Sequence, residues 1–282
     1  SGVTILCDAA TIDGNISAVG QGFAANQGPG SQGSGYYSGS HGGRGVDTSQ
    51  GIYGSLTRPS QLGSGGANSG GSGAIKIVAS GTIAHNGTIS VQGTSAMRSG
   101  AAGSIWLVCD ELTGGGTNKA QGVRGSSRPG GGGRIALEYS TSSFSGDNLV
   151  NGDTGNQGTS EAGSVFLCTT PVPGGGAIVL DSVYAENGND VKIERTVGQW
   201  STATPNLTWT DTSTRLNGDP LANTATYTLT GLAGDGEYEV FEDDVAISTW
   251  SLVGDTMTIP DITASHTITV RGMPQGSLFM LF

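Results

Sequence analysis

The chain has 282 residues, of which 51 are glycine and only 12% are charged, and its net charge at pH 7 is −11. Only 12 lysines and arginines are present, so the basic face of a nucleic-acid-binding protein is missing and no nucleic-acid partner is expected. Irregularly spaced glycines exclude collagen, the low charge is unlike that of a disordered acidic tail, and no run of about 18 apolar residues predicts a membrane span. Glycine, serine, threonine and valine are poor helix formers and dominate the composition, so we expect an all-β protein.

A short apolar segment recurs in the first part of the chain. Its copies lie at residues 3–7, 74–78, 104–108, 134–138 and 164–168, the last four at a constant step of 30 residues. Each of these four follows a glycine and carries apolar side chains at alternate positions, which is the period of a half-buried strand. A second segment that also predicts a strand follows each copy; these segments are residues 14–20, 87–93, 116–122, 146–152 and 176–181.

The repeating unit is therefore a strand, a turn, a second strand and a glycine-rich return. One unit cannot bury its apolar side alone, whereas stacked units bury a continuous core. The sequence thus predicts a parallel β-solenoid of about five coils with a 30-residue repeat. A long glycine-rich insert at residues 20–73 separates the first two copies. The alternative for the insert and the returns is a disordered linker, but disorder would not preserve the constant step.

Residues 183–282 have a different composition, with 9 of the 51 glycines but 13 of the 23 acidic residues. Short alternating segments recur here about every ten residues between turn-forming residues, which is typical of an antiparallel β-sandwich. We therefore predict two domains, a solenoid at residues 1–182 and a sandwich at residues 183–282. Asp243 and Asp244 are expected to turn a hairpin, and residues 278–282 are expected to form an apolar last strand.

Two resemblances accompany these patterns. Residues 3–5, 12–18, 53–59, 62–66 and 131–137 resemble the Gly-rich β-solenoid repeat regions of secreted bacterial surface proteins. In the second domain, residues 227–232 and 237–240 look like parts of fibronectin-III or immunoglobulin-like modules. The first resemblance implies an extracellular solenoid module and brings no catalytic residue with it.

The composition is typical of an extracellular or cell-surface protein from which a signal peptide has been removed. The three cysteines, Cys7, Cys109 and Cys168, are an odd number and do not make a disulfide framework. If subunits stack solenoid on solenoid, Cys7 in the first coil and Cys168 in the last would approach each other between chains.

The sequence holds no recognised catalytic motif, because the histidines lack zinc-site spacing and neither a Gly-x-Ser-x-Gly elbow nor a P-loop is present. Asp8 and Asp110 follow cysteines at equivalent positions of two copies, and we expect two other coils to separate them. No cofactor is expected apart from calcium, for which two turns of the second domain offer oxygen ligands. These candidate ligands are Asn187, Asp190, Asp235 and Glu237.

A solenoid ends in unpaired strand edges, which a protein must cap or use. No capping helix is predicted before the first strand, and the apolar residues 278–282 are unsuited to water. We therefore predict a structural protein, not an enzyme, that assembles with copies of itself head to tail into a filament or surface layer. The predicted interface consists of Val3, Ile5, Leu278, Phe279, Met280, Leu281 and Phe282.

Two other functions stay open at this stage. An adhesin or carbohydrate-binding module of a larger surface protein would bind extracellular polysaccharide through exposed aromatic side chains, for which Tyr36 and Tyr37 in the insert are candidates. A β-helical polysaccharide-degrading enzyme would need paired carboxylates in a cleft along one solenoid face.

Overall fold

The structure, a computed structural model, describes residues 2–33, 35–171, 178–184, 190–201, 206–233, 236–263 and 265–272, with the backbone alone for residues 199–201. These residues form strands and loops without any α-helix. The strands are β1 (Gly2–Cys7), β2 (Ala10–Ile12), β3 (Asn15–Ser17), β4 (Ala74–Ala79), β5 (Thr82–His85), β6 (Thr88–Ser90), β7 (Ser104–Thr113), β8 (Thr117–Lys119), β9 (Arg134–Ser142), β10 (Asp147–Leu149), β11 (Thr154–Gly155), β12 (Gly158–Thr159), β13 (Ser164–Thr169), β14 (Val179–Tyr184), β15 (Val191–Ser201), β16 (Asn206–Arg215), β17 (Thr224–Thr230), β18 (Tyr238–Glu242), β19 (Val245–Ile247), β20 (Ser251–Val253), β21 (Thr256–Thr263) and β22 (Thr267–Gly272).

The first part of the chain is a parallel β-solenoid of about four turns, which confirms the predicted fold class. The first apolar segment of every repeat stacks in one parallel sheet in the order β1-β4-β7-β9-β13. The second segments of the first four repeats stack in another parallel sheet in the order β3-β6-β8-β10. The 30-residue step of the sequence is therefore the length of one turn.

The solenoid core consists of columns of equivalent residues. Ile75 lies beside Ile105, Ile105 beside Ile135, and Ile135 beside Val165, and all four are at most 4% exposed. Alternate residues of the same strands point to the outer face, since successive side chains of a strand point to opposite sides. One face of the solenoid sheet therefore packs on the solenoid core, and the other face is available to pack against another part of the chain.

The glycines before β7, β9 and β13 are required by backbone packing. A Cβ atom on Gly163 would lie 1.8 Å from the carbonyl oxygen of Gly133, and one on Gly133 would lie 2.0 Å from the oxygen of Gly103. Real Cβ atoms do not approach a backbone oxygen so closely, and backbone atoms cannot move aside as a flexible side chain can. The column of glycines therefore allows successive turns to stack at strand spacing.

The insert at residues 20–73 is ordered over its described residues and packs on the glycine-rich returns of later turns. Its backbone bonds directly to theirs: the Gly43 amide donates to the Gly132 oxygen at 2.9 Å, and the Ala101 amide donates to the Ser64 oxygen at 2.9 Å. The buried Arg134 guanidinium donates to the Tyr53 carbonyl of the insert at 3.0 Å. The insert thus covers one side of the solenoid and is not a disordered linker.

The second part of the chain is an antiparallel sandwich of two sheets. One sheet has the order β15-β16-β22-β18-β19, and the other has the order β14-β17-β21-β20. The predicted hairpin between β18 and β19 is present, and its two turn residues Asp243 and Asp244 both have positive φ, at 47° and 63°. One prediction is wrong here. The segment at 176–181 does not continue the second solenoid sheet, because β14 pairs with β17 of the sandwich.

The solenoid and the sandwich share one continuous sheet, since β15 pairs in parallel with β13 and antiparallel with β16. The two cores lie on opposite faces of this sheet. Val165 of β13 points inward to the solenoid core, whereas its neighbours Phe166 and Cys168 point outward into the sandwich core. The last coil strand of the solenoid, β13, therefore also contributes side chains to the sandwich core.

Replacing Gly163 by alanine should destabilise the fold by at least about 3 kcal/mol, because overpacking in a rigid environment costs 1–3 kcal/mol or more and the clash here is with backbone. Gly14→Ala is the matched control, since nothing lies within 4 Å of a Cβ at that exposed position. Chemical denaturation of both variants measures the difference. Equal midpoints would contradict the packing role of the glycine column.

Candidate functional site

The two ends of the solenoid are built differently, and the end that follows β13 is closed by the chain itself. In register with the inward residues Val165 and Leu167 of β13, β15 carries Lys192 and Glu194. These two side chains form an ion pair of 3.0 Å and are partly exposed to water. The apolar columns therefore stop at a charged strand, and β16 satisfies the other edge of β15.

The opposite end, at β1, leaves the solenoid core uncovered. Val3 and Ile5 continue the inward columns beside Ile75 and Ile77. They are 46% and 37% exposed, whereas Ile75 and Ile77 are each 1% exposed. The same column positions are thus buried one turn further along the chain and open to water at this end.

The backbone of this end is uncovered as well. Within the described part of the chain, β1 pairs only with β4, β2 only with β5 and β3 only with β6. A free strand edge presents unpaired N–H and C=O groups and accepts another strand readily. Proteins usually protect such edges with lysine, proline or a bulge. The sequence of β1, Gly-Val-Thr-Ile-Leu-Cys, contains no charged residue and no proline.

Leu6 adds an apolar residue on the outer face of the same strand. It is 75% exposed and lies at the rim of a groove of about 600 Å³, which Val78 and Val108 also line. The sequence analysis did not include Leu6 in the interface. Its position among the outward residues is visible in the alternation. Its exposure depends on how far the sandwich core extends along the outer face, and that core includes Ala136 of β9 and Phe166 of β13.

We define the open end as β1 together with its exposed apolar side chains Val3, Ile5 and Leu6. The structure places the predicted interface residues Val3 and Ile5 in it. The other predicted interface residues, Leu278, Phe279, Met280, Leu281 and Phe282, lie outside the described residues.

The calcium candidates are not brought together. Asn187 and Asp235 lie outside the described residues. Asp190 precedes β15 at the Arg215 end of β16, with its carboxylate 3.8 Å from the Arg215 guanidinium. Glu237 precedes β18, at the other end of the ten-residue β16. At about 3.4 Å per residue the two lie roughly 30 Å apart, so they cannot bind one ion. Among the described residues, no three histidine, cysteine or acidic side chains form a metal-binding group.

Asp8 and Asp110 line the groove beside the open end, with Ser80 between them. The expectation that two coils separate them is wrong, because β4 alone lies between β1 and β7. Two strand spacings place their backbones about 10 Å apart. Both residues are exposed to water.

A buried polar cluster lies in the sandwich core. The Arg195 guanidinium donates to both carboxylate oxygens of Asp211 at 2.8 Å, and the hydroxyls of Tyr184 and Tyr227 donate to the same carboxylate. Burial raises the pKa of both tyrosines, and so does the Asp211 carboxylate. The adjoining cavity is about 20 Å³, which holds about one water molecule. The cluster ties four sandwich strands together and leaves no room for a substrate.

The thiols differ sharply in accessibility. Cys7 is partly exposed at the open end, whereas Cys109 and Cys168 are buried. Burial raises the pKa of each buried thiol to about 12. Cys168 points into the sandwich core beneath β15, so the structure does not support its approach to Cys7 of another chain.

None of the described residues belongs to a helix that is long and apolar enough to cross a membrane. Comparisons with protein-family models, curated proteins and solved structures find no match to this chain. The two resemblances stated from the sequence therefore stay predictions beyond the solenoid architecture itself.

A thiol-reactive reagent should modify Cys7 in the native monomer and leave Cys109 and Cys168 unmodified. The thiolate is the reactive form, and with a pKa of about 12 only about one buried thiol in 10⁴ is ionised at pH 8. Mass spectrometry of peptides from native and denatured protein identifies the modified sites. Modification of Cys168 as fast as Cys7 would show that the sandwich does not cover β13.

Proposed function

We propose that the protein is an extracellular structural subunit that assembles with copies of itself into a filament or surface layer through the open end. The observation that carries this proposal is the contrast between the two ends of two neighbouring apolar columns. At one end the columns stop at the charged residues Lys192 and Glu194, and at the other they stop at the exposed apolar residues Val3 and Ile5. A surface that only had to be soluble would end in the charged form at both ends. The open end is suited to be covered by another chain.

The magnitude of the exposed surface indicates what the partner must contribute. The exposed fractions of Val3, Ile5 and Leu6 together correspond to about 2–5 kcal/mol of burial. Association costs an estimated 4–15 kcal/mol in lost freedom of motion. The partner must therefore bring apolar side chains of its own as well as a strand edge for the backbone of β1.

The extracellular location rests on the sequence. Glycine-rich, weakly charged composition and the resemblance to repeat regions of secreted bacterial surface proteins support it. The resemblance of the sandwich to fibronectin-III or immunoglobulin-like modules supports the same location, since such modules are common on cell surfaces.

Replacing Ile5 by lysine should abolish self-association and leave the monomer folded. Ile5 is already 37% exposed, so a lysine there can extend its amine into water, but the amine would be desolvated if a strand covered β1. Sedimentation velocity and negative-stain electron microscopy measure the association. Met97→Lys is the matched control, because Met97 is 54% exposed on a return away from β1. Filaments formed by Ile5→Lys as readily as by the control would refute the role of the open end.

A second candidate function is binding of extracellular polysaccharide at Tyr36. Tyr37 of the predicted pair is buried, but Tyr36 is 70% exposed. The Arg98 guanidinium carbon lies 4.0 Å from the centre of the Tyr36 ring, and that of Arg128 lies 5.7 Å away. The exposed ring offers a stacking surface, and the Arg98 guanidinium beside it offers charged hydrogen-bond donors to an acidic sugar. The Arg128 guanidinium is already paired with the Asp47 carboxylate.

Tyr36→Ala should lower binding to acidic glycans on an array about two- to twelvefold if this second function holds, because a stacking contact with an aromatic ring contributes about 0.5–1.5 kcal/mol. Its effect on self-association should be nil, since Tyr36 lies outside the open end. The absence of any glycan signal from the unaltered protein would remove this candidate.

A further inference from the structure

Residues 276–282, which lie outside the described part of the chain, repeat the sequence pattern of two of the five coil strands, β7 and β13. They read Gly-Ser-Leu-Phe-Met-Leu-Phe. The segment at 103–109, which includes most of β7, reads Gly-Ser-Ile-Trp-Leu-Val-Cys, and the segment at 163–169, which includes β13, reads Gly-Ser-Val-Phe-Leu-Cys-Thr. All three begin with Gly-Ser and continue with a branched apolar residue, an aromatic residue and two further apolar residues.

We propose that residues 276–282 of one copy add to β1 of another copy as a parallel strand and complete the solenoid there. This inference rests on the proposed self-assembly and names the segment that covers the open end. It explains how a chain can carry a strand sequence without a matching place in its own solenoid, in which all five coil strands are accounted for by β1, β4, β7, β9 and β13.

The register of the solenoid determines which side chains would meet. Val3 lies beside Ile75 and Ile5 beside Ile77, and the repeat places Leu278 and Met280 at the positions of these isoleucines. An added strand in this register sets Leu278 next to Val3, Met280 next to Ile5 and Phe282 next to Cys7.

The alternate residues Phe279 and Leu281 would then lie on the outer face. Leu281 would lie next to Leu6, the most exposed large apolar side chain of β1. The added strand therefore supplies apolar contacts on both faces, which the exposed surface of β1 alone does not provide.

Geometry requires the added segment to come from a different copy. The strand order places β22, which ends at Gly272, seven strands away from β1, or about 34 Å at strand spacing. The four residue steps from Gly272 to Gly276 extend at most about 14 Å. The segment cannot reach β1 of its own chain.

Each copy then offers one donor segment near the sandwich and one acceptor strand at the open end of the solenoid. Such a contact joins the donor segment of one copy to the acceptor strand of another. Every dimer then still has one free donor segment and one free acceptor strand. Repetition of this contact produces an open filament whenever the rotation between copies does not close a ring.

Cysteine cross-linking tests the register with the native Cys7. In the proposed pairing, Phe282→Cys lies beside Cys7 of the neighbour at about the 4.8 Å spacing of paired strands, which is within the range that a disulfide spans. Mild oxidation during assembly should convert most of the Phe282→Cys protein into a covalent ladder on a non-reducing gel. The matched control Leu281→Cys points to the other face and should give little ladder. Adding Cys7→Ser to the Phe282→Cys variant should abolish the covalent ladder.

Deletion of residues 276–282 should leave folded monomers and abolish filaments. A synthetic peptide of these residues with lysines appended for solubility should stop the growth of filaments from the unaltered chain, whereas a scrambled peptide should not. The peptide result keeps the test decisive if the deletion variant does not fold.

The outcomes separate the two proposals. Filaments of normal length from a folded deletion variant, or a ladder from Leu281→Cys in place of Phe282→Cys, would overturn the strand addition and leave self-assembly standing. An unaltered chain that stays monomeric at its highest soluble concentration would overturn both.

Discussion

Every coil of a parallel β-solenoid needs a neighbour on both sides, because its backbone edges and its inward side chains are satisfied only by another strand. The interior of this solenoid meets that condition through columns such as Ile75, Ile105 and Ile135. Its two ends differ, because only one of them has a neighbouring strand on both sides within the described chain. One end passes into the sandwich through β15, where charged residues end the columns, and the other stops at β1 with apolar side chains in water. The two ends of the molecule are therefore different surfaces, and a head-to-tail contact requires two different surfaces.

The same stacking condition explains the composition. Turns at strand spacing leave no room for Cβ atoms where returns cross one another, as the column through Gly103, Gly133 and Gly163 shows. The insert bonds to these returns backbone to backbone, which only glycine-rich segments permit over several crossings. The high glycine content of the first domain is therefore a packing requirement, and its low charge follows from having few long side chains in that layer.

The junction between the domains depends on the two faces of a single strand. Because β13 presents Val165 to the solenoid core and Phe166 to the sandwich core, no separate linker is needed between the two cores. The buried pair of Arg195 and Asp211 follows immediately in this sheet, with Tyr184 and Tyr227 bonded to the same carboxylate. Removing one partner of such a buried pair would leave the other charge uncompensated, which is strongly destabilising.

The sequence by itself determined the turn length, most of the strands and the hairpin at Asp243 and Asp244, because these depend on local alternation, repeat spacing and turn chemistry. The alternation of the first predicted strand also placed Val3 and Ile5 on one face, whereas their exposure of 46% and 37% is known only from the structure. Only the tertiary structure decided that β14 joins the sandwich, that the insert packs on the returns and that Leu6 is left exposed. It also showed that Asp190 and Glu237 lie at opposite ends of β16. These features depend on which surfaces meet across long sequence separations. The repeat pattern in residues 276–282 is visible in the sequence, but its meaning depends on the distance between β22 and β1, which only the strand order supplies.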